Sequence, residues 1–120
     1  MVKITIRQID DVTIADISGR IVLGEECAAL REVVQDLMEK GKKKIIFNLA
    51  MVDYIDSSGL GNLISVFVRV RKQGGELKLL KLTNKIHDLL QITKLYTIFE
   101  IMDDEAVAVH SFEKTAAAAN

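Results

Sequence analysis

The hydrophobic pattern of this chain switches repeatedly between a period of 2 and a period near 3.6, which restricts it to a fold of interleaved strands and helices. Val2, Ile4 and Ile6 alternate with Lys3, Thr5 and Arg7, as in a strand with one face buried. Asp10-Asp11 supplies turn residues before a second β-rich run over residues 12–18, so the chain is expected to open with a hairpin. Gly19 is expected to end that run. After it, Cys27, Leu30, Val34 and Leu37, with Val33 and Met38 beside them, line one helical stripe and predict a helix over about 24–40. Gly41 is its expected C-terminal cap, and Lys40, Lys42, Lys43 and Lys44 put positive charge at the carbonyl pole.

Ile45, Ile46, Phe47 and Leu49 then read as a buried strand, and residues 53–59 as a polar loop. Leu60, Leu63, Ile64, Phe67 and Val70 predict a second helix, which Val66 and Val68 make apolar on more than one side. Gly74-Gly75 stops it, residues 77–82 read as a strand, and Thr83 or Asn84 caps a short helix carrying Ile86, Leu89 and Leu90. Residues 96–101 look like a final strand, and Asp103-Asp104-Glu105 places acids at the start of a last helix with Val107, Val109 and Phe112. The expectation is an α/β fold: one domain over residues 1–113, with a flexible tail over 114–120. Its mixed sheet, an N-terminal hairpin plus parallel strands, is covered by about four α-helices.

Composition narrows the function classes. With 16 Lys and Arg against 17 Asp and Glu the net charge is −1, too small a field to grip nucleic acid or an anionic membrane. No apolar run reaches the roughly 18 residues that span a bilayer, so no membrane insertion is expected. The lone Cys27 cannot form an internal disulfide and the N-terminus shows no signal-peptide core, which together predict a cytoplasmic protein.

Asp56-Ser57-Ser58-Gly59-Leu60-Gly61 is the one dense cluster of small polar residues between a buried strand and a helix. Asp56 or Ser57 can cap the helix, while Gly59 and Gly61 are expected to leave its first turn open to another molecule's backbone. The segment fails as a serine-hydrolase elbow, because neither serine has a glycine two residues before it. It also fails as a dinucleotide loop, with Ile64 at the third glycine position, and it has no Walker lysine. His87 and His110 lack partners at metal-ligand spacing, so neither a metal nor a cofactor is expected. Cys27, on an apolar stripe beside Glu25 and Glu26, is expected to be inert, and the chain is expected not to be an enzyme.

Asn48-Leu49 and the run from Val52 through Asp56-Ser57-Ser58-Gly59-Leu60-Gly61 resemble the signature of the STAS domain, found in bacterial anti-sigma factor antagonists and in sulfate-transporter tails. Gly19, Gly74-Gly75-Glu76-Leu77 and Asp103-Asp104-Glu105-Ala106 also fall where that family has similar residues. The resemblance implies partner switching. In this mechanism the unphosphorylated protein binds an anti-sigma factor that is also a serine kinase, and phosphorylation of Ser57 ends the binding. It makes Ser58 the second choice for the phosphate, assigns Asp56, Ser58, Gly59, Leu60 and Gly61 to the partner surface, and implies a serine phosphatase as a further partner. One departure stands out: many antagonists carry Gly-Glu-Leu-Asp after the second strand, where this chain has Gly19-Arg20-Ile21-Val22. The alternatives are a STAS subunit of a transport or signalling assembly, and a sensor binding a nucleotide or anion at the same helix start.

Overall fold

A computed structural model describes the backbone of residues 2–119 and the side chains of residues 2–112. The hairpin forms as expected from β1 (Val2–Ile9) and β2 (Val12–Ile21), antiparallel and closed by the Ile9–Val12 pair. Asp10 takes a φ of 55° in its turn, a left-handed conformation that aspartate tolerates better than most residues. Helix α1 (Glu25–Glu39) follows, then β3 (Lys44–Ile55), α2 (Ser57–Lys72), β4 (Glu76–Leu80), α3 (Asn84–Thr93), β5 (Ile101–Met102) and α4 (Glu105–Ala119). The strands form one sheet in the order β1-β2-β3-β4-β5, parallel from β2 onward. The mixed α/β sheet with four helices is therefore as expected. The boundary expected at residue 113 and the tail over 114–120 fall on residues whose side chains lie outside the described ones.

Four local readings are corrected. Gly19 does not end β2: it takes φ 99° within the strand, which continues to Ile21 through an irregularity in its pairing with β3. The stretch expected as a loop over 53–59 is instead strand as far as Ile55 and helix from Ser57, and β3 runs on past Leu49 because β2 lies alongside it and supplies backbone partners that local polarity does not announce. Residues 96–101 are not a strand; Leu95–Thr97 is a 3-10 turn and only Ile101–Met102 reaches the sheet, beside Leu79 and Leu80. The strand expected over 77–82 is β4, which begins at Glu76 and ends at Leu80 because Lys81 turns the chain with φ 56°.

Helices α1 and α2 end in the same device. Gly41 and Gly74 adopt φ of 75° and 83°, and the amides of Lys42 and Gly75 return to the carbonyls of Leu37 and Val70 at 2.9 Å each, satisfying acceptors the helix leaves free. Helices α1, α2 and α3 cover one sheet face, where Leu30, Val34, Leu63, Val66, Ile86 and Leu90 meet Ile17, Ile45, Phe47 and Leu79. Helix α4 covers the other with Ala108, Val109 and Phe112 on Val12, Ile14, Ile46 and Leu80. Its first turn is fastened by Arg7, which binds both Glu105 and Asp16, and Asn48 donates to the same Asp16 carboxylate at 2.8 Å. Glu105 therefore ties α4 to the sheet, through Arg7 of β1 to Asp16 of β2 and Asn48 of β3.

Candidate functional site

The sheet delivers the ends of β2 and β3 side by side, with Ile21 paired to Ile55, and the start of α2 is built on that pair. Asp56 is the N-cap: its Oδ1 accepts from the Gly59 amide at 2.7 Å, satisfying one of the donors a helix start leaves free. Its Oδ2 accepts from the Leu23 amide at 3.2 Å, and its own amide donates to the Ile21 carbonyl at 3.3 Å. Of the two capping candidates, then, Asp56 serves. With each carboxylate oxygen bonded to a backbone amide, it fixes the loop between β2 and α1 against the first turn of α2.

Ser57 is the first residue of α2 and is exposed; Ser58 is half-buried. The other signature positions divide sharply. Gly61 is exposed, and a Cβ added there would meet nothing within 4 Å, so its face is open as expected. Gly59 is not open. A Cβ there would stand 2.1 Å from the Ile21 carbonyl oxygen, so this glycine lets two backbones of the same chain meet. Leu60 is buried in the main core. The solvent-facing part of the signature is accordingly Ser57 and Gly61, with Asp56 and Ser58 partly accessible.

Asn62, one position further, is buried, donates to the Cys27 carbonyl at 3.1 Å and accepts from Arg31 at 3.3 Å. It joins α2 to α1 beneath the site, and sequence reading missed it; the signal was an asparagine on the apolar stripe between Gly59 and Val66. Burial pushes the Cys27 thiol above its usual pKa, and the Asp56 carboxylate adds to that, which disfavours the reactive thiolate. His87 lies on α3 and His110 on α4, and among the described residues no three His, Cys, Asp or Glu side chains group to hold a metal. No helix among them is long and apolar enough to cross a membrane.

Around this end of the sheet lie apolar side chains that the motif did not announce. Leu23 is 75% exposed, Met51 70% and Tyr54 42%, and the Arg20 guanidinium lies over the Tyr54 ring at 5.0 Å. Arg20 is thus folded onto an aromatic ring, an arrangement that favours a cation over the ring face.

Comparison with known proteins bears on what this surface meets. The STAS domain model matches residues 3–108. The anti-sigma-B factor antagonist of Bacillus subtilis is 35% identical over 100 residues, covering 83% of this chain and 90% of that protein. A Thermotoga maritima crystal structure, described as an anti-sigma factor antagonist, superposes with a TM-score of 0.82 at 27% identity over 90% of this chain and 92% of that one. The phosphorylated form of the Bacillus cell-fate determinant SpoIIAA shares the fold, with a TM-score of 0.71 at 16% identity over 92% of this chain and 99% of that one.

Proposed function

Because the chain belongs to the STAS domain family, we propose that it is an anti-sigma factor antagonist working by partner switching in the cytoplasm. Unphosphorylated, it binds an anti-sigma factor that is also a serine kinase and so frees the sigma factor. The kinase then moves the γ-phosphoryl group of ATP to Ser57 Oγ: the P–O bond to ADP breaks, the serine proton passes to the kinase's base, and the modified protein is released. A serine phosphatase would restore it. The protein is both ligand and substrate in this cycle and needs no catalytic group of its own.

The observation that carries this reading is the exposed hydroxyl of Ser57 on the first residue of a helix whose cap is bonded on both sides. Such a hydroxyl can enter a kinase cleft without the fold opening, whereas half-buried Ser58 is shielded in part. A phosphate adds about −1.5 to −2 charges. The positive pole of α2 favours an anion at this place, so the helix need not melt. The burial of a dianion against the partner falls on the interface instead, where each 1.4 kcal/mol costs about tenfold in affinity.

The test uses the purified chain with each kinase-type anti-sigma factor of its source organism. Phosphate is mapped by mass spectrometry, and affinity and circular dichroism are compared before and after modification. A single phosphate at Ser57, loss of binding and an unchanged spectrum are expected. Modification at Ser58, or undiminished affinity of the modified form, would overturn the mechanism.

A further inference from the structure

Strand β3 is twelve residues long, but β4 accompanies only its first part: the ladder between them ends at the Asn48–Leu80 pair. Beyond it Met51, Val52, Tyr54 and Ile55 pair with β2 alone, Ala50 and Asp53 fall at irregularities of that register, and the Ala50 amide is taken by Asn48 Oδ1 at 3.1 Å; no strand among the described residues borders the other side of this stretch. The exposed residues of this stretch are Ala50, Met51, Asp53 and Tyr54. Met51 and Tyr54 stand opposite Ser18 and Arg20 of β2, beyond the region that α4 covers through Val12, Ile14, Ile46 and Leu80. A thioether and an aromatic ring are thus left facing solvent on a strand with an open edge, three to six residues before Ser57. Open edges of this kind are templates for another strand.

We infer that the open edge of β3 over residues 51–54 is where the partner docks, by adding an extended segment of its own to the sheet. This rests on the partner-switching reading and says how the anti-sigma factor engages. Backbone bonding supplies register, and alternate side chains of the added segment fill the surface beside Met51 and Tyr54. Charge sets a further requirement. Asp53 is exposed and has no ion pair among the described residues, while the nearby cation, Arg20, is stacked on Tyr54. The segment that fits is therefore extended, apolar at alternate positions, and carries a Lys or Arg to meet Asp53. It would end beside the first turn of α2, bringing Ser57 into the same interface.

The experiment measures amide hydrogen exchange across residues 51–54 in the free chain and in complex with the purified anti-sigma factor, alongside the affinity of Asp53→Lys. Open-edge amides are expected to exchange at least about tenfold more slowly in the complex, because strand pairing withdraws them from water. Asp53→Lys is expected to weaken binding by about tenfold and to flatten its salt dependence, with the thermal midpoint unmoved. A complex that forms while these amides exchange as in the free chain overturns strand addition and leaves partner switching standing. Failure of the unmodified protein to bind any anti-sigma factor of its organism overturns partner switching itself, and the docking edge with it.

Discussion

Replacing Gly59 by alanine puts the closeness of β2 and α2 to a direct test. The added methyl would sit 2.1 Å from the Ile21 carbonyl oxygen, 2.9 Å from its carbon and 2.9 Å from Cγ1 of Ile55. Two of these three atoms, including the nearest, are backbone held by strand pairing and by the Asp56 amide, so a side-chain movement cannot relieve the clash. Overpacking of this kind costs about 1–3 kcal/mol. Moving α2 away to relieve it loses the Asp56–Ile21 hydrogen bond, worth about 1 kcal/mol, and alanine's better helix propensity returns about 0.8–1 kcal/mol. The net loss is about 1–3 kcal/mol. With a urea slope of about 2 kcal/mol per molar, the unfolding midpoint should fall by about 0.5–1.5 M at unchanged slope. Gly61→Ala is the control: its methyl meets nothing within 4 Å, so propensity acts alone and stability should rise by about 0.8–1 kcal/mol. A Gly59→Ala variant as stable as the parent would refute the inference that this glycine exists for backbone contact.

Asp56→Ala removes the acceptor for both the Gly59 and Leu23 amides. Urea unfolding should show a loss of about 1–2 kcal/mol, and Asp56→Asn should recover most of it. Thr13 is 1% exposed and its Oγ1 has no hydrogen-bond partner; Thr13→Val should stabilise by about 1 kcal/mol in the same assay, and a destabilised variant would refute the orphan hydroxyl. Hydrogen bonding to Arg7 holds the carboxyl pKa values of Asp16 and Glu105 below the ordinary 3.8 and 4.5. Groups with a depressed folded pKa stabilise above their unfolded values and lose that contribution as pH falls through the folded ones. The stability difference between the parent and Arg7→Met should therefore be full near neutrality and shrink below pH 4.5; a difference constant down to pH 2.5 would refute the linkage.

Local sequence determined the elements whose cause is local. The alternation of Val2, Ile4 and Ile6, the stripe from Cys27 to Leu37, and the glycines Gly41 and Gly74 fix a strand, a helix and two helix ends through steric preferences and side-chain period alone. The signature from Asp56 to Gly61 was legible as a helix start for the same reason, since a cap acts over three residues. Tertiary structure decided whatever depends on a distant backbone. Residues 50–55 are strand because β2 lies beside them, and 96–101 are mostly not because β4 offers β5 only two residues. Nothing in the local pattern separates Lys78 from other strand lysines, yet α4 buries it, setting Ser111 Oγ 2.7 Å from its ammonium and the Phe112 ring 4.3 Å away. Gly59 shows the division most clearly: its place in a motif is written in the chain, but its neighbour, the carbonyl of Ile21, is 38 residues away. Side-chain periodicity carries information about the face a residue presents, and none about which backbone will arrive there.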